Sequence, residues 1–189
     1  TLPANVLRFY VDFSTPMEGA DDFFEHVHLI DRSSGEEVEF AWREVQLWSP
    51  DRTRITLLVH PGRVKRGITF AKDMGPVFAE RGSYEIVIDA SVKDASGQPL
   101  GQEFRRSYET GERDDQVPDA ARWRVSSPSA STKDVLTFDF DEPMDAELLR
   151  TRIRVLDSSG APVEGGLHVA QGGRQWRFEP AKPWRAGAY

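Results

Sequence analysis

Cysteine is absent from the 189-residue sequence. A chain without cysteine forms no disulfide, carries no thiol nucleophile and offers no thiolate ligand to zinc, so these chemistries are excluded. Long apolar runs are also absent. The longest are strand-length pieces such as TLLV at residues 56–59, whereas a helix that crosses a bilayer needs about 20 apolar residues. The sequence therefore predicts no membrane span.

Positive charge is in the minority. The chain has 24 Lys and Arg against 31 Asp and Glu, which gives a formal net charge of -7 at pH 7. General binding to nucleic acids or to anionic membranes needs a basic field, so an acidic chain argues against both partners.

Catalytic and cofactor-binding motifs are missing as well. The sequence contains no G-x-S-x-G, no H-E-x-x-H, no P-loop and no G-x-G-x-x-G. Carboxylates are plentiful, but a glycosidase pair must flank a cleft at a set separation, which a sequence does not reveal. We therefore predict that the chain is not an enzyme, has no catalytic residues and needs no cofactor.

What the sequence does contain is a repeat. NVLRFYVDFSTPME at residues 5–18 is followed much later by DVLTFDFDEPMD at residues 134–145. Aligning Met17 with Met144 places apolar residues opposite one another at every second position, as in strands with one buried face. The aligned apolar residues are Phe9, Val11 and Phe13 in the first copy and Leu136, Phe138 and Phe140 in the second.

The similarity continues past these first strands. HVHLIDRSSGEEV at residues 26–38 matches RIRVLDSSGAPV at residues 152–163, and GSY at residues 82–84 matches GAY at residues 187–189. Short strands separated by Asp-, Ser- and Gly-containing turns predict an antiparallel β-sandwich in each copy. Residues 18–24 and 145–152 are the two stretches with helical potential, the latter with Asp145 as a candidate N-cap.

The repeat also predicts the domain organisation. We place the first sandwich at residues 1–111 with an insertion at about residues 69–81, a polar linker at residues 112–121, and the second sandwich at residues 122–189. After GSY the first copy continues with YEIVID, KDASGQPL and QEFRRSYE, and no such sequence follows GAY. The second sandwich is therefore expected to be truncated at its C-terminal end, without its last two strands. A longer natural chain or strand addition from a partner could supply them.

Several of these segments together resemble a known family. A strand that ends in Pro-Met-acid, a strand that ends in D-x-S-G, a G-x-Y strand and the loop KDASGQPL resemble the bacterial Ig-like domains of the surface-layer (SbsA-like) type. HPGRVKRG at residues 60–67 is further similar to uncharacterised exported bacterial proteins built from two such domains. The resemblance implies an all-β fold of two tandem Ig-like antiparallel β-sandwiches. It also implies a periplasmic or extracellular location and an adhesive or structural role without catalytic residues.

Three histidines form one candidate site. His26 and His28 lie two residues apart on a predicted strand and so on one side of it, a spacing that can chelate Zn²⁺ or Cu²⁺, and His60 could add a ligand. The repeat argues against a metal site, because His26 and His28 align with Arg152 and Arg154 on an outward strand face. We expect both side chains to face outward without a metal.

Other candidates involve charged and aromatic side chains. Arg63, Lys65 and Arg66 could bind an anion or an acidic glycan, although a solvated loop paired with nearby acids is favoured. Trp42 and Trp48 could form a sugar-binding platform, although a place in the core is favoured. A set of four acidic side chains could bind Ca²⁺, but their spacing is not that of an EF-hand loop. The four residues are Asp139, Asp141, Glu142 and Asp145.

The leading interpretation is a non-catalytic exported tandem module with a structural, spacer or binding role at the cell envelope. Its partner would be an envelope protein or a glycan that the sequence does not identify. The first alternative is a carbohydrate-binding or adhesion domain pair that uses an aromatic or basic surface. The second is an enzyme or a metal-binding protein. The chain begins at Thr1 and has no signal peptide, which predicts a processed or truncated N-terminus.

Overall fold

The computed structural model describes residues 1–64 and 74–189. In these residues it has ten β-strands in antiparallel sheets and only short helices, which confirms the predicted all-β class. The chain divides into two compact units, Thr1–Asp115 and Gln116–Tyr189. Part of the predicted insertion, residues 69–73, lies outside the described residues.

In its described residues, the first unit contains six strands in two three-stranded sheets. One sheet has the order β1–β4–β3 and the other the order β2–β5–β6. A single turn of α-helix, α1 (Pro61–Val64), follows β4, and a 3₁₀ helix at Phe23–His26 precedes β2. The strands are β1 (Arg8–Asp12), β2 (Val27–Asp31), β3 (Trp42–Trp48), β4 (Arg54–Val59), β5 (Ser83–Ile88) and β6 (Phe104–Glu109).

Both sheets contribute alternate residues to one core, so the first unit is a sandwich. Ile55 and Leu57 on β4 are fully buried, and so is Ile88 on β5. Phe9 on β1 lies opposite Leu57 and is buried, while Val11 is half-buried against the same core. Burial of alternate strand positions is the pattern that the sequence predicts for β1.

The beginning and the end of the first unit are joined by backbone hydrogen bonds. Leu2 forms a parallel bridge with Thr110: its N–H donates to Glu109 O at 2.8 Å, and its carbonyl accepts from Gly111 N at 2.8 Å. The Asn5 side chain adds hydrogen bonds to the backbone of Asp114. Residues about 110 positions apart are thereby held side by side.

The second unit contains one four-stranded sheet with the order β7–β8–β10–β9. Its strands are β7 (Arg124–Ser126), β8 (Leu136–Asp139), β9 (Gly165–Ala170) and β10 (Gln175–Pro180). Helix α2 (Ala146–Arg152) begins after Asp145, whose carboxylate accepts hydrogen bonds from Glu147 N at 2.9 Å and Leu148 N at 3.0 Å. This N-cap is the one that the sequence predicts. Shorter 3₁₀ helices lie at Ala120–Arg122 and Gln171–Gly173.

Residues 18–24, a stretch with helical potential in the sequence, form a helical turn only at their end. The structure has only the 3₁₀ turn at Phe23–His26. Gly19 has a φ of 64°, in the left-handed region that a right-handed helix does not use, so the backbone after Met17 turns instead of coiling.

Three strands of the second unit correspond one to one to the strands of one sheet of the first unit. β8, β10 and β9 stand side by side in the order of β1, β4 and β3. In this alignment Trp176 corresponds to Ile55, because Trp176 pairs with Phe138 and Ile55 pairs with Val11, the counterpart of Phe138. Phe178 corresponds to Leu57 in the same way, because their partners Leu136 and Phe9 are counterparts. Gly165 takes the position of Trp42, and a Cβ atom at Gly165 would collide with the Phe178 ring.

The turn after the second repeated segment is also the same in both units. Asp31 accepts hydrogen bonds from the backbone N–H and the hydroxyl of Ser33, and Asp157 does so from Ser159. These side-chain bonds fix the turn and lower the pKa of both carboxyl groups.

The second sheet of the sandwich is where the units differ. Residues 153–157, the counterpart of β2, form only an isolated bridge, Leu156 to Pro162, rather than a strand. Within the described residues of the second unit, no strands correspond to β5 and β6. One face of its four-stranded sheet is therefore less covered than the equivalent face of the first unit.

Candidate functional site

An apolar groove of about 440 Å³ lies on the sheet of the second unit. It is lined by side chains of β8 and β10, by residues 153–156 and by residues at the C-terminal end of the unit. The lining includes Val125, Leu136, Phe138, Ile153, Val155, Leu156, Trp176, Trp184 and Tyr189.

The same strand alternation that builds a core places these side chains in the groove. Leu136 and Phe138 point to the face of β8 that packs on Trp176, whose ring lies 5.5 Å from that of Phe138 in an edge-on arrangement. Their counterparts in the first unit, Phe9 and Val11, pack into the sandwich core. The groove is thus the position of a sandwich core, open on one side.

The exposure of the groove residues shows how open that side is. Leu156 is 40% exposed, Val125 48% and Tyr189 50%. Ile153 is half-buried and Val155 is 9% exposed, whereas their counterparts in the first unit, Val27 and Leu29, are 2% and 1% exposed. The first unit buries these positions beneath β5, which pairs with β2.

Tyr189 repeats the local arrangement of Tyr84, the second residue of β5. The Tyr84 ring packs edge-on against Phe78 at 4.9 Å, and its hydroxyl accepts from Ala79 N at 2.7 Å. The Tyr189 ring packs edge-on against Trp184 at 5.0 Å, and its hydroxyl accepts from Arg185 N at 2.9 Å. Tyr189 therefore has the same kind of ring and hydroxyl contacts as Tyr84, although it is 50% exposed and Tyr84 is 3% exposed.

The groove also contains an unsatisfied polar atom. Trp176 is fully buried, and within the described part of the chain its indole N–H has no acceptor. A buried donor without a partner carries a free-energy cost of about 1–3 kcal/mol. Trp123 is only half-buried, but its indole N–H is also buried and has no acceptor among the described residues.

A second candidate site is a cluster of two histidines and three carboxylates on the first unit. His28 Nδ1 lies 2.8 Å from Glu37 Oε1, and His26 Nδ1 lies 3.2 Å from Asp89 Oδ2. Asp89 also faces His28 Nε2 at 3.5 Å, and Asp22 faces His26 Nε2 at 3.8 Å. Val27 between the histidines is buried, so both imidazoles are on the outer face of β2 and the residue before it, as the sequence predicts.

Opposing effects act on the pKa of His28. Burial alone would lower it, but the hydrogen bond to Glu37 and the negative charges of Glu37 and Asp89 together outweigh burial. The pKa of His28 therefore lies above its ordinary value of 6.5. The protonated imidazole is the form that these carboxylates stabilise.

The arrangement does not bring together a set of metal ligands. Among the described residues, no group of three or more His, Asp and Glu side chains is placed so that it could hold a metal ion. His60 is used elsewhere, since its Nδ1 accepts from Gly62 N at 3.2 Å. Of the carboxylates considered for calcium, Asp145 caps helix α2 and Asp139 accepts from the Gln175 side-chain amide at 2.7 Å.

Arg63 lies inside the loop that follows β4 instead of on its surface. Its side chain is 8% exposed, and its guanidinium donates hydrogen bonds to four backbone carbonyls. The acceptors are the carbonyl oxygens of Glu39, Met74, Gly75 and Pro76. These contacts occupy the fork that an anion would need, so they favour a structural role for Arg63 over the anion binding considered as an alternative. The favoured interpretation of a solvated loop is wrong for Arg63, because its side chain is buried on backbone carbonyls. Lys65 and Arg66 lie outside the described residues.

The two tryptophans considered for sugar binding both pack against the core of the first unit. Trp42 is buried, contacts Phe9 edge-on at 5.8 Å and donates from Nε1 to Val27 O at 3.1 Å. Trp48 is half-buried against Phe23 and donates to the Gln46 side chain at 2.8 Å. The favoured core interpretation fits these contacts.

The sequence predicted that the second sandwich lacks strands, and so an incompletely covered apolar face, but it did not predict Arg63 as a loop anchor. A signal for the groove was present, because the repeat marks Leu136, Phe138 and Trp176 as core positions and the strands that would cover them are missing from residues 122–189. No signal was present for Arg63, because its acceptors are backbone carbonyls distributed over two other segments.

Comparisons with known proteins identify no family for this chain. No protein-family model and no curated protein matches it. No helix among the described residues is long and apolar enough to cross a membrane.

Two solved structures of alpha-2-macroglobulin from Escherichia coli are similar to the chain. One is the native conformation, at 14% identity over 93% of this chain and 11% of that chain. The other spans domains MG0-NIE-MG1, at 16% identity over 93% of this chain and 56% of that chain. Both have a TM-score of 0.37. The chain thus spans only part of the length of either protein, and neither is a surface-layer protein.

Proposed function

We propose that this chain is a non-catalytic tandem Ig-like module that serves a structural, spacer or binding role at the cell envelope, in the periplasm or outside the cell. The observation that carries the proposal is the duplicated unit itself. The second unit repeats three strands and one turn of the first. Tandem β-sandwich units of related structure are common in modular cell-surface proteins.

The use of the carboxylates supports a structural role. Asp31, Asp94 and Asp157 each accept hydrogen bonds from a serine two residues later, and each therefore closes a turn. These bonds lower the pKa of all three side chains, which keeps them ionised near neutral pH. A general acid would need the opposite shift.

Cell fractionation tests the location and the module role together. An antibody raised against the 189-residue protein should detect it in the envelope or extracellular fraction of the source cells. Detection only in the cytosol would contradict the proposal. Hydrolysis of a glycan or peptide substrate by the purified protein, abolished by one carboxylate substitution, would contradict the non-catalytic assignment.

The carbohydrate-binding alternative gains no support from Trp42, Arg63 or the core contact of Trp48. A glycan array separates it from the leading proposal. A Trp48→Phe variant should behave as the parent does on the array, whereas loss of a glycan signal in this variant would favour the alternative.

A further inference from the structure

We propose that His26 and His28 form a proton-dependent clasp that closes at acidic pH and fastens three neighbouring segments of the first unit to β2. The segments are the start of the 3₁₀ helix before β2, the turn after β2 and the residues that follow β5. The clasp is carried by a row of five side chains in which carboxylates and imidazoles alternate. It adds a regulatory property to the first unit and does not depend on the proposed module role.

The five side chains of the row follow one another along the outer face of the sheet. Glu37 Oε1 lies 2.8 Å from His28 Nδ1, and Asp89 Oδ1 lies 3.5 Å from His28 Nε2. The other oxygen of Asp89 lies 3.2 Å from His26 Nδ1, and Asp22 Oδ2 lies 3.8 Å from His26 Nε2. Asp89 is therefore shared by the two imidazoles, and each imidazole faces a carboxylate at both of its nitrogens.

The number of N–H donors makes this row sensitive to protons. An ionised carboxylate only accepts hydrogen bonds, and a neutral imidazole has one N–H donor and one bare nitrogen. Neutral His28 can therefore donate to Glu37 or to Asp89 but not to both, and its bare nitrogen then faces an oxygen lone pair. The same count applies to His26 between Asp89 and Asp22. The whole row is satisfied only when both imidazoles carry a proton on each nitrogen.

The backbone spreads the row over neighbouring segments. Glu37 forms an isolated bridge with Ile30 on one side of β2. On the other side β5 pairs with β2, and Asp89 directly after β5 donates its N–H to His26 O at 3.1 Å. Asp22 is the residue at which the 3₁₀ helix begins. The loss of one contact in the row therefore loosens one segment from the next.

Ser91 gives the open state of the clasp a defined partner. Its hydroxyl lies 3.4 Å from His26 Nδ1 and can donate to that nitrogen when it is bare, which the Asp89 carboxylate cannot do. His26 and Ser91 both line a polar pocket of about 290 Å³, together with Asp22. A change of partner at His26 would therefore move side chains in the wall of this pocket.

Charged groups on the neighbouring elements leave the row acidic. Arg105 on β6 lies across β5 from His28, and its guanidinium is already paired with two carboxylates of its own, at 2.6 and 2.7 Å. Beside His26, Glu18 and Lys93 line the polar pocket and carry opposite charges. The three carboxylates of the row are thus the acids that pair with the imidazoles.

The pKa of His28 gives the direction of the response. Burial lowers this pKa, but the hydrogen bond to Glu37 and the charges of Glu37 and Asp89 together raise it above 6.5. Stabilisation by a group with a raised pKa is fully present below the pKa of the unfolded chain and is lost as the pH rises through the pKa of the folded protein. The clasp is therefore closed below about pH 6.5 and opens as His28 loses its proton.

NMR hydrogen exchange on the full 189-residue chain tests the clasp. Protection factors, which correct for the intrinsic effect of pH on exchange, are measured from about pH 5.5 to 8.5 at the amides of Asp89 and Val38. These amides hold the segments on either side of β2, since they donate to His26 O at 3.1 Å and to Leu29 O at 2.7 Å. Ile55 in β4 is the reference for an intact first unit.

We expect protection at Asp89 and Val38 to fall by about threefold or more as the pH rises through the titration of His28, because the side chains that fasten their segments separate. Protection at Ile55 should change less. The titration of His28 is followed in the same samples by its imidazole resonances. Protection that stays constant over this pH range in the parent would overturn the inference.

Carboxylate variants separate the row from general surface charge. Glu37→Gln and Asp89→Asn should each lower the titration midpoint of His28 and weaken the fall in protection. Glu85→Gln is the matched control, because it removes a carboxylate that pairs with Arg105 on the same sheet face, and it should leave both readouts as in the parent. A fall in protection that persists with both Glu37→Gln and Asp89→Asn, or an equal effect of Glu85→Gln, would show that the row does not act as a clasp.

Discussion

Replacing Arg63 tests whether this side chain is a structural anchor or a surface cation. The guanidinium donates to four carbonyls in two segments of the first unit, at 8% exposure. Arg63→Met removes the donors and keeps much of the apolar stem. A surface cation would tolerate this change with little loss of stability.

The magnitude follows from the carbonyls that are left. Glu39 and Pro76 are exposed residues, so water can replace the lost donor at their carbonyls. Met74 and Gly75 are half-buried, and an unsatisfied buried acceptor costs about 1–3 kcal/mol. We therefore expect Arg63→Met to lower the free energy of unfolding of the first unit by about 2–6 kcal/mol. That is a large share of the roughly 5–15 kcal/mol that stabilises a typical domain.

Arg63→Lys makes the test specific to geometry. Lysine keeps the charge but presents its donors from a single point, so it cannot reach four carbonyls as the planar fork does. We expect it to lose about half as much stability as Arg63→Met, because roughly half of the hydrogen bonds would remain. Arg43→Lys on the exposed face of β3 is the matched control and should change stability by less than about 0.5 kcal/mol.

Urea unfolding measures these differences, and hydrogen exchange at β4 and β5 assigns them to the first unit. If Arg63→Lys unfolds at the same urea concentration as the parent, the fork does not anchor the loop. The anchoring argument would then be refuted, and the surface role predicted from the basic run would regain support.

Three further changes probe the turns, the histidine cluster and the core. Asp157→Asn should lower the free energy of unfolding above about pH 4, where Asp157 is ionised in the unfolded chain. The difference between the variant and the parent should vanish as the pH falls through the lowered pKa of Asp157 in the folded protein, and unfolding measured along an acid titration tests this. His28→Asn should lower the free energy of unfolding below about pH 6.5. The difference between the variant and the parent should vanish as the pH rises through the raised pKa of His28 in the folded protein, and urea midpoints measured from pH 5.5 to 8.5 test this. Phe9→Ala should cost about 3–5 kcal/mol of unfolding free energy, because it leaves a cavity in the core, whereas Tyr10→Ala should cost about 1 kcal/mol.

Each of these changes has an outcome that contradicts its reasoning. A penalty from Asp157→Asn that persists below the folded pKa would show that the charge is not what fixes the turn. A His28→Asn penalty that grows with pH would reverse the sign of the coupling to Glu37 and Asp89. Equal losses from Phe9→Ala and Tyr10→Ala would mean that the two faces of β1 are not distinguished by burial.

The strands that the sequence predicts best are those whose apolar residues alternate. β1 and β8 were both predicted from the Phe-x-Val and Leu-x-Phe pattern, and the structure places Phe9 and Phe140 in two separate cores. The turn at Asp31 was predicted for a similarly local reason, because Asp, Ser and Gly bond and bend within five residues. Local chemistry of this kind is visible in a sequence.

Features that depend on distant backbone were not predictable. Arg63 belongs to a run of basic residues, and only the folded loops bring the carbonyls of Glu39 and Pro76 to its guanidinium. The partners of His28 are likewise distant, since Glu37 and Asp89 reach it through a turn and through the neighbouring strand β5. The outward direction of the imidazole was predictable, but its raised pKa was not.

The bridge between Leu2 and Thr110 determines how the first unit responds to mechanical load. The two segments run parallel, so a pull on opposite ends of the unit slides one along the other and strains their hydrogen bonds together instead of opening them one at a time. The contacts of Ala4 with Glu112 and of Asn5 with Asp114 extend the sheared region to Asn5 in one segment and to Asp114 in the other. The joined ends would make the first unit a tension-resistant link in any chain of modules.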